Sequence, residues 1–334
     1  MPRLALIVVV CLAGLGLAGC GESRTEADEG IRIGMMPKLM GISFFDVVRD
    51  GATQAAGELG VKLTFDGPTV DSSEEQAEMI DAWVAQGFDV IAVAPNDPDA
   101  IAPTLVHAKK LGVTVMTWDT DANPKTSGRS LFVNQAEAES IADALVDVMV
   151  EGAGEDGQLK GKFLIVSAIP TAANQNSWMG FMIPRLKREH PECELLETLY
   201  PGEDERNSRV QSANALAAHS DLKGIWAITS VALPAAAKAA RDAGRHEDVY
   251  ITGLSLPSQM REFVKDGTVK RFVLFDVEDL GYLTIQVAKR LHEGLLDPGT
   301  YDLGRLKNIR VTENEAILGD PLIFDVNNID DYKF

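Results

Sequence analysis

The sequence predicts an α/β protein made of two doubly wound lobes, each on a parallel sheet. Three observations predict it. Short β-branched apolar runs alternate with amphipathic helical stretches across tight connections, the pattern of a parallel sheet with helices on both faces. The pattern breaks once, at the Gly- and acid-rich segment 151–160, and then restarts. The chain has 334 residues, which at roughly 100–200 residues per domain makes two domains.

Ordered structure is expected to begin at Ile31. A strand over 31–36 leads into a helix over 43–59, with Ser43 as N-cap and Gly60 closing it. A strand at 61–65, a helix at 72–86, a strand at 90–94 and a helix at 98–111 follow, the helices ended by Gly87 and Gly112. Val113-Thr114-Val115-Met116-Thr117 is β-branched and mostly apolar, hence a buried parallel strand. Asp119 stands just past its carboxyl end, where ligand crevices open in such sheets. A carboxylate accepts hydrogen bonds from several hydroxyls, and the neighbouring Trp118 ring offers an apolar face for a sugar's C–H groups. A competing reading is that Asp119 caps the turn built by Thr120, Asp121, Asn123 and Pro124. A short strand at 131–133 and a helix at 136–150 complete the first run. After the break, strands at 163–167, 194–199, 224–228, 249–253 and 269–275 alternate with helices. Those helices are at 174–190 with Pro184 inside, 208–218, 234–243, 258–265 and 278–292. The tail, 303–334, carries only short strand-like pieces.

Charge and terminus narrow the function. Asp plus Glu number 50 against 31 Lys plus Arg, which excludes a nucleic-acid partner needing a basic face. Arg3 precedes an apolar run over 4–17 that is too short to span a bilayer and has signal-peptide anatomy. It ends in Leu17-Ala18-Gly19-Cys20, and the polar, acidic stretch 21–30 reads as a tether. Cys193 is then left without a partner, so no intrachain disulfide is expected.

Several motifs fail on inspection. Gly152-Ala153-Gly154-Glu155-Asp156-Gly157 matches the spacing of a dinucleotide loop but follows a helix and carries two acids. Asp119-x-Asp121-x-Asn123 resembles the start of a calcium loop, but Pro124 and Ser130 stand where Gly and Glu belong. His107, His190, His219, His246 and His292 have no metal spacing and accompany no nucleophile elbow. No cofactor, metal or catalytic set is expected.

Other stretches carry a resemblance. They are Pro37-Lys38-Leu39-Met40-Gly41-Ile42-Ser43-Phe44-Phe45, Phe65-Asp66-Gly67-Pro68-Thr69, Thr117-Trp118-Asp119-Thr120-Asp121, Asn174-Gln175-Asn176-Ser177-Trp178 and Ala232-Leu233-Pro234-Ala235-Ala236. The ending Ile323-Phe324, Asn328-Ile329 and Tyr332-Lys333-Phe334 belongs with them. From Ile31 onward the chain resembles type I periplasmic sugar-binding proteins of ABC importers, in the branch of the autoinducer-2-binding and rhamnose-binding proteins. The Leu17–Cys20 ending resembles the lipobox of bacterial lipoproteins, where Cys20 would be the lipidated first residue after a signal peptide over 1–20.

The resemblance implies a hinged trap whose lobes are joined by three hinge strands. One lobe would be 31–134 plus 277–305 and the other 135–276 plus 306–334. It implies ligand contacts from Lys38, Phe44, Phe45, Asp119, Asn174, Gln175, Pro234 and Ala236, with Asp276 at the hinge. Trp178 is expected to pack in the core. Asn174 stands where the autoinducer-2 binders carry Asp, which favours a sugar or polyol. The implied partners are a small hydroxylated ligand, an ABC permease and, through the lipid anchor alone, a membrane. The implied state is a non-enzymatic monomer on the periplasmic or outer face of the envelope. The same receptor feeding a chemoreceptor or histidine kinase stays open as an alternative.

Overall fold

In the computed structural model, which describes residues 30–334, alternate residues of one sheet feed two separate apolar cores. Strands β1 (Arg32–Met36), β2 (Lys62–Phe65), β3 (Val90–Val93), β4 (Thr114–Trp118) and β5 (Phe132–Asn134) run parallel in the order β2-β1-β3-β4-β5. Helix α1 (Ser43–Leu59) shares a core with Ile33, Met35, Val90 and Ala92. Helices α2 (Ser73–Ala85) and α3 (Ala102–Lys110) share the other with Met36, Ile91 and Val93. Period-two alternation thus sends each strand's side chains to both faces, as a sheet covered on both sides requires.

The chain then passes through α4 (Ala138–Ala153) into a second parallel sheet. Its elements are β6 (Gly161–Val166), α5 (Ala173–Glu189), β7 (Cys193–Leu195), α6 (Glu205–Ala218), β8 (Leu222–Ala227), α7 (Ala232–Asp242), β9 (Tyr250–Gly253) and α8 (Pro257–Lys265). The strand order is β7-β6-β8-β9. Cys193 opens β7 as a half-buried free thiol, and burial pushes its pKa up to about 11.

After β10 (Arg271–Leu274), helix α9 (Val277–His292) returns to the first sheet and packs on α1. Glycine makes that approach possible: a Cβ on Gly51 would lie 1.9 Å from the Glu278 carbonyl oxygen, and one on Gly281 the same distance from that of Val48. Strands β11 (Gly299–Leu303), β12 (Leu306–Val311) and β13 (Glu315–Ile317) extend the first sheet to eight strands, β13 lying parallel to β5. The last strand, β14 (Leu322–Asp325), pairs antiparallel with β10.

This corrects one expected boundary. Residues 306–317 belong to the first sheet, and the chain leaves it between Ile317 and Leu322. The edge of β5 would otherwise expose unpaired backbone groups, which β13 satisfies. Two helix starts are also corrected. Ser43 is the first residue of α1, whose cap, Ile42, makes no side-chain bond. Helix α3 begins at Ala102, with a proline in its first turn. Ser72 caps α2, its side chain accepting from the Glu75 N–H at 3.1 Å. The expected signal peptide, Cys20 and the tether up to residue 29 lie outside the described residues.

Candidate functional site

The site is built where the first-sheet strands end. Lys38 follows β1 on a loop held from beneath by a buried amide. Gln76 on α2 donates Nε2 to the carbonyls of Pro37 at 3.2 Å and Ala94 at 2.9 Å, and its Oε1 accepts the Asn96 N–H at 2.9 Å. Asn96 in turn donates Nδ2 to the Lys38 carbonyl at 2.9 Å. The ammonium of Lys38, with the residue only 5% exposed, is therefore presented from a fixed backbone.

Asp119 follows β4 in the left-handed region, at φ 60°. The Thr120 N–H donates across it to the Trp118 carbonyl at 2.6 Å, closing a tight turn. Asp tolerates that conformation better than most residues, but it still stores strain at this spot. Two residues further on, Asp121 is saturated: Arg129 donates Nε at 2.7 Å and Nη2 at 2.5 Å, and Thr117 donates Oγ1 at 2.5 Å. Among the described residues the Asp119 carboxylate has only Lys38 Nζ at 3.8 Å, too long for a hydrogen bond.

The start of α5 faces this edge. Asn174 Oδ1 accepts from Lys38 Nζ at 3.2 Å and from the Gln175 N–H at 2.9 Å. Gln175 Oε1 accepts from Ser167 Oγ at 2.7 Å and the Ala168 N–H at 2.9 Å. Both amide oxygens are committed, so the amide nitrogens are the groups left to donate. Thr171 Oγ1 donates to the Asn96 carbonyl at 3.0 Å, a second bond between the two strand-end regions.

Between them lies a cavity, and Lys38, Phe44, Phe45, Asp119, Asn174 and Gln175 all line it. Phe44 meets Phe45 edge-on with centroids 5.2 Å apart, and Phe275 at 6.1 Å, forming an apolar wall. Burial pushes the Asp119 carboxyl above its ordinary range more strongly than Lys38 pulls it down. Burial likewise raises Asp71, on the loop after β2, and Glu203, on the loop before α6, against the pull of the same lysine.

The cavity does not gather every expected residue. Pro234 and Ala236 sit in α7 outside its lining, where Thr229 and Ser230 from the end of β8 take the place beside it. Asp276 caps α9, accepting the Asp279 N–H at 2.9 Å, and lines a separate pocket with Arg305 and Lys307. The expected ring beside Asp119 is also placed differently. Trp118 is fully buried, donates Nε1 to the Ala92 carbonyl at 3.2 Å and packs edge-on against Phe45. Trp178 is buried in the core, as expected, and also lines the cavity. Its spacing of four from Asn174 puts both on one face of α5. Glu203 went unread in the sequence, although it lies just past a predicted strand end, the rule that singled out Asp119.

Among the described residues no helix is long and apolar enough to cross a membrane, and no cluster of His, Cys, Asp or Glu could hold a metal ion. The family model described as "Periplasmic binding protein domain" matches residues 33–295. The chain belongs to this family. Its members are exported solute-binding proteins, non-enzymatic components of transport systems. Among solved structures, LsrB from Clostridium saccharobutylicum in complex with AI-2 has a TM-score of 0.85 at 26% identity, covering 91% of this chain and 100% of that one. An ABC transporter solute-binding protein from Clostridium phytofermentas with bound L-rhamnose has a TM-score of 0.84 at 28% identity, covering 91% and 98%. A xylitol-binding protein from Mycolicibacterium smegmatis is 30% identical over 115 residues. That match spans 34% of this chain and 32% of the relative.

Proposed function

We propose that this periplasmic binding protein receives a small neutral sugar or polyol for an ABC importer and holds it between two lobes that close on it. The observation that carries the reading is the junction of Lys38, Asp119 and Asn174. It joins residues from two sheets around one cavity, so a ligand there stabilises the closed form by touching both sides. The first lobe would carry the eight-stranded sheet and α9, and the second the sheet of β6 to β9 with β10 and β14. Lys38, Asp119, Asn174 and Gln175 would bond the ligand's hydroxyls, with Phe44, Phe45 and Trp178 against its carbon skeleton. The relatives that bind L-rhamnose, AI-2 and xylitol are all similar to this chain. Asn174 favours the sugar or polyol: its free Nδ2 asks for an acceptor, which an Asp would not.

A thermal-shift screen of the purified protein against L-rhamnose, xylitol, pentoses and AI-2 tests the reading. A ligand at about 100 times its dissociation constant should stabilise by roughly 2.7 kcal/mol. No shift with any sugar or polyol would sink it. Anchoring through a lipidated Cys20 is part of the same proposal, and Cys20→Ser should move the protein out of the membrane fraction or block its processing.

A further inference from the structure

We propose that Glu203 is a second ligand carboxylate, and that with Asp119 it restricts the site to uncharged ligands offering hydroxyl donors to both. This rests on the sugar-receptor reading above and adds a ligand residue that accounts for the neutral class.

Glu203 lines the cavity beside Thr229 and Ser230. The Thr229 hydroxyl beside it draws the Glu203 carboxyl down, but less than burial raises it. Its Oε2 is sealed from solvent and has no hydrogen-bond partner among the described residues. A buried carboxylate oxygen without a donor is costly, and a ligand hydroxyl in the cavity would satisfy it.

Charge sets the class. Among the described residues, Lys38 is the one cation that pulls on Asp71, Asp119 and Glu203 alike. A phosphate or carboxylate on the ligand would add to the negative charge already gathered around one lysine. A neutral polyol adds donors and no charge. Burial keeps the Glu203 carboxyl above its ordinary range, consistent with a group that lacks donors until the ligand arrives.

The test uses the whole protein, wild type, Glu203→Gln and Glu203→Met. Calorimetry and melting would be run against L-rhamnose, xylitol and D-ribose, and against D-ribose 5-phosphate and D-gluconate as anionic probes. Losing a charge-assisted bond should weaken the neutral ligand about 10- to 100-fold in both variants. The melting temperature of the unliganded variants should hold or rise, since an unpaired buried group has gone. A purely structural Glu203 would instead lower the melting temperature. The anions should fail to bind wild type. If wild type binds a neutral sugar or polyol and both variants bind it equally, the sugar reading stands and this proposal is overturned. Tight binding of an anionic probe by wild type also overturns it. If no neutral sugar or polyol binds wild type, the sugar reading fails and the proposal falls with it.

Discussion

Two clusters in this molecule place one cation among three carboxylates, and they behave in opposite ways. Arg185 on α5 donates to Asp143 at 2.9 Å, Asp147 at 2.6 Å and Glu189 at 2.8 Å, at the protein surface. Arg185 and Arg188 hold the Glu189 carboxyl down at about 2. Lys38 sits in the crevice, 3.8 Å from Asp119, and the Asp71, Asp119 and Glu203 carboxyls around it are pushed up by burial. A guanidinium reaches several carboxylates at once with its planar fork, whereas an ammonium is a point charge. The satisfied cluster fastens α5 to α4. The starved one lacks donors, and a hydroxylated ligand supplies donors.

The largest test of that contrast is Lys38→Met. It removes the cation that pulls on all three carboxyls, of which Asp119 is the buried one, and breaking a buried pair typically costs about 3–5 kcal/mol. The loss should be largest near pH 8. These carboxyls have raised pKa values in the folded state, so their burial destabilises the protein above that range and is relieved as they protonate. Urea denaturation should therefore show the variant recovering toward pH 5, and an equal loss at both pH values would refute the account.

Asp119→Ala comes next. Two charge-assisted bonds to the ligand contribute about 2–4 kcal/mol, or roughly 30- to 1000-fold in affinity. The fold should survive with a small loss of melting temperature, because alanine tolerates the left-handed backbone at this position less well than Asp does, while the carboxyl removed is underbonded. Unchanged affinity by calorimetry would move the site elsewhere. Sugar affinity in wild type should itself weaken on acidification, as Asp119 and Glu203 lose their charge.

The smallest effect is expected at the satisfied cluster. Arg185→Met should cost about 1 kcal/mol or less in stability, as surface pairs do, and leave ligand affinity untouched. Glu189 has a lowered pKa, so its share of that support is present above the ordinary carboxylate range and disappears as pH falls toward 2. A change in sugar affinity in this variant would show that the two clusters are not independent.

Much of this was legible in the chain because periodicity is local. The alternation of strand and helix is visible in residues such as Ile33, Met35, Val90 and Ala92, and the strand-end rule marks Asp119. Lys38, Phe44, Phe45, Asn174 and Gln175 came from a resemblance and converge on one cavity. What stayed hidden depends on distant partners. Gln76 reads as one more polar helix residue, yet it is fully buried and props the Lys38 loop through contacts up to 39 residues away. Glu203 lies in a Pro-Gly-Glu-Asp turn whose composition reads as solvated. Both Trp118 and Trp178 are core residues, and orientation decides which one also reaches the cavity: Trp118 packs into the α1 core with Met116, two residues before it, while Trp178 follows Asn174 around the helix. The passage out of the first sheet was misplaced because three short strands after Pro298 carry too few residues to reveal their partners.

The Cys193 thiol has a practical consequence. With its pKa pushed up to about 11, only about one molecule in ten thousand carries the reactive thiolate at pH 7. A maleimide dye would therefore pass it over in favour of a cysteine installed at an exposed position. Phe181, 44% exposed at the rim of the wider cleft beside the cavity, is such a position. A fluorophore placed there on the otherwise native chain would turn the receptor into an optical reporter of its own ligand.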